Sequence, residues 1–386
     1  MDASLFAKML SDPSITDFKK LHYKYPSADM SEFFTLLKDI VYTQLPLPDF
    51  SGASLVYLEN VKRIHMKSLK LLLAHQEGTF GLHAMEEEIS SSMEIEGINT
   101  SRDSVRRILQ GYAPQTDEES RIYGMKLGLD FIADPANTIT EENIHRLYQT
   151  AIGNYLDSDD RLLEDHRYRH DAVYIVGEHV EHTGLPHDKL PQYMQALVSF
   201  IQADSQMNDL VKSAIIHFYV AFLHPYFDGN GRMARLLHLW YLVQNGYPSA
   251  LFTAFSSLIK RSKSSYYKAY TQVEENAKLS GSIDLTPFLT YFIHEVYDQL
   301  ELCVPASAER SFFQDILKSG QITEKEHALW NYVLSAYGTS QFSTKQVEKD
   351  YGDAAYATIR SFVQKFERLG LLKSQKYGNR VKYWIV

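Results

Sequence analysis

A chain of 386 residues, 45% hydrophobic and 23% charged, is long enough for two or three domains with cores of their own. Its formal charge of −9 argues against unspecific binding of the whole molecule to nucleic acid or a membrane surface. The single cysteine, Cys303, excludes an intramolecular disulfide and a Cys-based zinc site, and no apolar run reaches the roughly 18 residues that a membrane span needs. Met1-Asp2-Ala3-Ser4 lacks the basic-then-apolar layout of a secretion signal, which together with the lone thiol predicts a cytoplasmic protein.

Helical patterns fall around Asp17 to Leu21, Met30 to Tyr42 and Leu55 to Ala74, with Leu45-Pro46-Leu47-Pro48 as an extended break. Their apolar positions read as core. His83 to Gly97 reads as a helix stopped by Gly97, and Thr100-Ser101-Arg102-Asp103 resembles a capping box for the next one. The last turn before Gly97 carries Glu94 and Glu96. The helix macrodipole penalises acids there by roughly 0.3–1 kcal/mol, so a cationic partner elsewhere in the chain is expected.

Thr138 to Asp157 predicts a further helix with Thr140 as N-cap. A hairpin follows: Arg167-Tyr168-Arg169-His170 leads into Val173-Tyr174-Ile175-Val176, Gly177-Glu178 turns, and His179-Val180-Glu181-His182 returns. Strand alternation would divide His170, His179, His182 and His187 between two faces, which weighs against a metal site there.

Val211 to Leu223 is apolar almost all round, as in a helix buried in a core, and Pro225 stops it. A second apolar helix runs from about Arg232 through Leu236, Leu239, Trp240 and Val243 to an Asn245-Gly246 stop. Between them lies His224-Pro225-Tyr226-Phe227-Asp228-Gly229-Asn230-Gly231-Arg232-Met233-Ala234-Arg235. Gly229-Asn230-Gly231 lets successive backbone N–H groups converge on an anion, and the helix that follows adds its positive end. Arg232 and Arg235, three apart, share the face beside that nest. Asp228 is placed to hold Mg²⁺ against phosphates, and His224 can accept a proton near neutral pH. The set predicts phosphoryl or nucleotidyl transfer. It is not a Walker A loop, which requires Gly-x-x-x-x-Gly-Lys.

This stretch resembles the signature of Fic-domain proteins, His-x-Phe-x-(Asp or Glu)-Gly-Asn-Gly-Arg-x-x-Arg, departing only at Tyr226, which keeps a ring where the family has Phe. The resemblance implies a protein adenylyltransferase, moving AMP from ATP to a Ser, Thr or Tyr hydroxyl of a target protein. It implies His224 as general base, Asp228 as Mg²⁺ ligand, Gly229, Asn230 and Gly231 as phosphate cradle, and Arg232 and Arg235 on the outer phosphates. Lys in place of the first Arg, which marks phosphate-transferring relatives, is absent. Ser92-Met93-Glu94-Ile95-Glu96-Gly97 fits the family's inhibitory motif (Ser or Thr)-x-x-x-Glu-(Gly or Asn), so Glu96 would pair with Arg235 and hold the enzyme off, with Ser92 in the same motif. The hairpin corresponds to the family's flap, where target backbone adds as a strand, and Tyr174, Ile175, Val176 and Gly177 would also lie against the nucleotide. Tyr267, in Arg261-Ser262-Lys263-Ser264-Ser265-Tyr266-Tyr267, faces either the nucleotide or the core. Asp284-Leu285-Thr286-Pro287-Phe288 opens a further helix.

Residues 321–386 hold ten Lys/Arg and six Asp/Glu, a net +4 that leaves −13 elsewhere. Capping boxes at Thr323-Glu324-Lys325-Glu326 and Ser343-Thr344-Lys345-Gln346, a third helix from Asp353 to Leu369, and two strands joined near Gly378-Asn379 outline a winged-helix domain. Such domains contact DNA or protein, and the modest charge favours protein. The expected fold is mainly α: a Fic-type helical core with a β-hairpin flap over 111–310, an N-terminal helical region with the inhibitory helix over 1–110, and a C-terminal winged-helix domain over 321–386. The expected partners are a target protein, the chain itself included, with a homodimer compatible and no membrane. Two other readings stay open: a nucleotide-sensing DNA-binding regulator, and an enzyme removing AMP, with Glu96 positioning a water.

Overall fold

Buried apolar helices organise the chain around one central pair. The computed structural model describes residues 1–59, 81–176, 180–204, 207–247, 250–251 and 253–303, and, within 322–385, residues 322–323, 325–326, 329–330, 333, 337, 341–351, 354–377 and 380–385. In chain order these form α1 (Ala3–Leu10), α2 (Phe18–Lys24), α3 (Met30–Leu36), β1 (Tyr42–Pro48), β2 (Ser54–Leu58), α4 (Gly81–Ile95), α5 (Arg102–Leu109), α6 (Asp117–Ala133) and α7 (Glu141–Ala151). Then come β3 (Tyr174–Val176), β4 (Val180–Thr183), α8 (Leu190–Gln202), α9 (Asp209–Leu223), α10 (Asn230–Gln244), α11 (Phe255–Arg261), α12 (Lys263–Ser280) and α13 (Thr286–Tyr291). Last are α14 (Thr344–Tyr351), α15 (Tyr356–Arg368), β5 (Leu372–Tyr377) and β6 (Arg380–Ile385).

The sequence patterns explain the central pair. Asn208 caps α9 by accepting the Leu210 N–H, and nearly every side chain of α9 and α10 is buried, as their all-round apolarity requires. Even Lys212 lies inside, its ammonium donating to the Ala203 carbonyl at 2.8 Å. One apolar cluster takes in α9, α10 and residues from Leu45 to Leu300, including Ile89, Met93 and Ile95 of α4. Smaller clusters sit under α1–α3 and among α14, α15, β5 and neighbouring residues such as Trp330. Close approach is built in where α6 meets α7: a Cβ on Gly128 would lie 2.7 Å from the Ala151 Cβ.

Three antiparallel hairpins complete the fold: β1–β2, β3–β4 and β5–β6. Leu55 to Leu58, expected as the start of a helix, is instead strand β2 paired with β1; the remainder of that expected helix, 60–74, lies outside the described residues. A short apolar run has no period of its own, and pairing decided it. The Leu45-Pro46-Leu47-Pro48 break is part of β1, whose register shifts between Gln44 and Pro48, where proline offers no N–H. Arg167 to His170 is not strand; among the described residues the flap strands are Tyr174–Val176 and Val180–Thr183, and the Gly184 N–H bonds the Val173 carbonyl at 3.2 Å beside them. Ser101 caps α5 by accepting the Ser104 N–H at 3.0 Å, but its own N–H goes to Glu118 at 2.8 Å and not to a reciprocal side chain at Ser104. At the C-terminal end, Thr323 and Glu326 bond reciprocally as expected, α15 begins three residues later than Asp353, and Phe342 bridges Tyr383 beside the β5–β6 hairpin. No helix among the described residues is long and apolar enough to cross a membrane.

Candidate active site

The polar loop between α9 and α10 is set by two left-handed residues. His224 caps α9 at φ 53°, the only non-glycine with positive φ among the described residues, and Gly229 opens α10 at φ 84°. Both switch the chain direction so that Pro225–Asp228 crosses from one helix end to the other. Asn230 braces the crossing: its Oδ1 accepts the Tyr226 N–H at 2.9 Å and its Nδ2 donates to the Tyr226 carbonyl at 2.8 Å. Asn230 thus spends its side chain on loop shape and leaves its backbone amide for the helix end. Tyr226 is fully buried and stacked on Tyr148 with centroids 3.6 Å apart and planes 5° from parallel. Its hydroxyl has no hydrogen-bond partner among the described residues, and burial raises it well above the ordinary tyrosine range.

The start of α10 is a donor-rich cup. Met233 N–H to the Gly229 carbonyl is the first backbone bond of the helix, so the amides of residues 230–232 have no intrahelical acceptor. Arg232, 1% exposed, donates Nη2 to Asp228 Oδ2 at 2.9 Å, while its Nε is buried without a partner among the described residues. Asp228 Oδ1 accepts the Gly229 N–H at 2.5 Å, and the carboxylate is half exposed. Arg235, 2% exposed, donates Nε to Ser92 Oγ at 2.8 Å and Nη2 to the Ser92 carbonyl at 2.9 Å and to Glu96 Oε1 at 2.7 Å. Its Nη1 is buried with no partner among the described residues. Burial works against the charge on Arg235, but the Glu96 carboxylate outweighs it and raises the guanidinium. A Cβ on Gly231 would lie 2.3 Å from Glu96 Oε1, so the carboxylate rests directly on the glycine of the cup.

α4 delivers that carboxylate along one face. Glu88, Ser92 and Glu96 recur at four-residue spacing, which stacks them on a helix. Glu88, 4% exposed, accepts the Ser256 N–H at 2.8 Å and its hydroxyl at 2.5 Å, capping the start of α11. Burial raises the Glu88 carboxyl, against the Ser256 bonds and Arg235. At the far end of α4, Lys260 pairs with Glu94, Lys263 donates to the Glu94 carbonyl at 3.4 Å, and the Tyr267 hydroxyl donates to the Ile95 carbonyl at 3.2 Å. Cationic and hydroxyl donors therefore satisfy a helix C-terminus that carries two acids. Tyr267 is 44% exposed and engaged with α4.

His224, half-buried, lies across the loop beside the roots of the flap. Arg169, which sequence reasoning read as part of a strand, is 2% exposed and donates Nε to the His224 carbonyl at 2.7 Å. β3 holds Tyr174, Ile175 and Val176 in the hairpin, and Gly177 lies outside the described residues. The structure thus brings together Ser92, Glu96, Asp228, Gly229, Gly231, Arg232 and Arg235. Glu88 and Arg169 were missed. The first was legible in its spacing to Glu96; the second carried no signal, because its partners are backbone carbonyls remote in sequence. Among the described residues no group of three or more His, Cys, Asp or Glu side chains could share a metal ion.

Residues 138–242 match the Fic/DOC family model. Over these residues the chain is similar to the Fic/DOC family. Over 255 residues it is 28% identical to protein adenylyltransferase Fic of Drosophila ananassae and 27% identical to that of Drosophila willistoni, covering 64% of this chain and 46% of each relative. The chain therefore spans about half the length of the curated relatives it matches. Among solved structures, a Fic family protein from Desulfovibrio desulfuricans superposes with a TM-score of 0.52 at 18% identity, covering 83% of this chain and 95% of that one. The fold is the same as in that Fic protein.

Proposed function

We propose that this Fic domain is a protein adenylyltransferase, resting in an inhibited state. The observation that carries the reading is the cup at the start of α10. Two buried guanidinium groups, each with an orphaned N–H, converge with three helix-end amides on a glycine-lined point already occupied by a carboxylate. A buried donor without an acceptor costs roughly 1–3 kcal/mol, so Arg232 Nε and Arg235 Nη1 favour an anion with more oxygens than Glu96 offers. A polyphosphate is such an anion, and the helix N-terminus suits it.

In this reading His224 accepts the proton of the target hydroxyl. The hydroxyl oxygen attacks the α-phosphorus of ATP, a new P–O bond forms, and the bond to pyrophosphate breaks with its electron pair leaving on pyrophosphate. Gly229, Asn230 and Gly231 hold phosphate through backbone amides, and Arg232 and Arg235 neutralise the outer charges. Asp228, half exposed with lone pairs to spare beside its bonds to Arg232 and Gly229, fits a Mg²⁺ ligand. When bound, that ion would spread the phosphate charge. Glu96 and Ser92 hold Arg235 away from the terminal phosphate, and Tyr174 to Gly177 of the flap lie over the nucleotide. Tyr267 serves the end of α4. The target protein presents its backbone to the flap, and the C-terminal unit, with a winged-helix order of elements, docks protein.

A second reading is favoured by Arg360, Lys373 and Lys376, which are exposed and have no ion-pair partner among the described residues. In that reading the chain senses nucleotide and contacts DNA through this basic unit. Incubation with labelled ATP and Mg²⁺, in Glu96→Gly with and without His224→Ala, separates the two. Label on protein that disappears with His224→Ala supports transfer; no label even with Glu96→Gly supports the sensor.

A further inference from the structure

The end of α9 leaves carbonyls that no intrahelical amide can reach. The last carbonyl of α9 and the two that follow it are filled from the two chain segments that bracket the flap. Leu223 receives the Leu185 N–H at 3.2 Å, and Pro225 receives the Arg169 N–H at 2.9 Å. The His224 carbonyl between them receives Arg169 Nε at 2.7 Å. The same guanidinium donates Nη1 to the Asp171 carbonyl at 2.6 Å and Nη2 to the Leu185 carbonyl, so it grips both roots of the hairpin at once. Gly184 makes room for it: a Cβ there would lie 2.8 Å from Arg169 Nη2 and 3.3 Å from the His224 Cβ.

We propose that Arg169 is a positioning residue that registers the flap to the backbone of His224, so that whatever adds to the flap meets the imidazole at a fixed place. The inference rests on the adenylyltransfer reading for its purpose but on these contacts for its substance. A cation 2% exposed, with carbonyls and no carboxylate within ion-pair distance among the described residues, is a costly way to hold a loop. A cap that only ended the helix would need one donor. Arg169 supplies donors to three segments, and the residue it holds is the one with left-handed backbone, a conformation that costs a non-glycine roughly 1–2 kcal/mol. Lysine, a point charge with three rotatable donors, cannot reproduce the planar three-way grip.

The test is amide hydrogen exchange on the full chain, comparing Glu96→Gly with Glu96→Gly carrying Arg169→Met or Arg169→Lys. If Arg169 couples the two segments, exchange at Gly184 and Leu185 and at Tyr226 rises at least tenfold together. Exchange in α8 and α10 stays unchanged, and the affinity for ATP with Mg²⁺ by calorimetry stays within threefold. Where the parent transfers label, kcat falls at least tenfold with little change in the KM for ATP, and added guanidinium ion restores part of it to Arg169→Met. Faster exchange in the flap alone, unchanged exchange in both segments, or ATP affinity lost in step with kcat overturns the proposal. Should Arg169→Met not fold, Gly184→Ala crowds the same guanidinium and is read at the same amides. A parent without transfer activity sinks the enzyme reading, while the exchange data still decide the role of Arg169.

Discussion

The two helix ends that meet at the polar loop are opposite in character. At the end of α9 the exposed carbonyls are answered by Arg169 and Leu185. At the start of α10 the donors outnumber their acceptors, and Arg232 and Arg235 each keep a buried N–H with no partner among the described residues. Both regions lie within a dozen residues, but different segments of the chain meet them: those beside the flap at one end, α4 at the other. A saturated end fixes geometry, because every shift breaks a bond. An unsaturated end suits a guest, and the proposed reading puts the Glu96 carboxylate in the guest's place. The imidazole proposed to handle a proton stands on the fixed side, and the proposed phosphate contacts stand on the open one.

The largest expected effect breaks the fixed side: His224→Ala in the Glu96→Gly background should lower labelled AMP transfer by a factor of about 10²–10⁴, the usual worth of a positioned base. Calorimetry should find ATP affinity nearly unchanged, and a large loss of affinity would put His224 among the binding groups. On the open side, Glu96→Gly should raise transfer at least tenfold, equivalent to about 1.4 kcal/mol on the barrier. Equal activity with the parent chain would end the inhibitory role of α4. Arg235→Ala should not be rescued by Glu96→Gly in the same labelling assay, because it removes the proposed phosphate contact itself.

Two smaller effects sharpen the comparison through stability. His238 is buried on α10 with Nε2 near the Tyr297 hydroxyl at 3.1 Å, and burial pushes it down to about 3. Its folded value lies below the unfolded one, so its contribution is present above about pH 6.5 and is lost as pH falls towards 3. Between pH 6.5 and 4.5 that loss amounts to roughly 2–3 kcal/mol. Chemical denaturation across this range should fall less steeply in His238→Gln; parallel slopes would refute the assignment. Tyr226→Phe removes a buried hydroxyl that has no partner among the described residues, and should leave the melting temperature unchanged or raise it by a few degrees. A fall of several degrees would mean that the hydroxyl is bonded after all.

Much of the open side was legible because its chemistry is local. Glycine spacing, the Arg232–Arg235 interval and the helix that follows lie in one window, and the acids at the end of α4 advertised a distant cation, which proved to be Arg235 with Lys260 close by. The fixed side was not legible. Arg169 meets residues 55 positions away through backbone carbonyls, which have no sequence identity to read. The same limit explains β2, where Leu55–Leu58 could pack in either a helix or a strand until β1 supplied the partner. Glu88 was missed as well. Its four-residue spacing to Glu96 was there to read, but its partner Ser256 lies 168 positions away and is met through a backbone amide and a hydroxyl.

Glu88 on α11 and Ser92 on Arg235 hold the body of α4, Lys260, Lys263 and Tyr267 hold its end, and Glu96 follows its last residue with a side chain 29% exposed. In the proposed reading the cup empties when the Glu96 side chain alone swings away from Arg235, with the helix in place. Inhibition of the proposed kind is never complete. If the closed rotamer is preferred by about 2.7 kcal/mol, roughly one molecule in a hundred stands open at any instant. The resting protein would then leak at a steady low rate, and any partner that binds the open rotamer alone would tune that leak continuously.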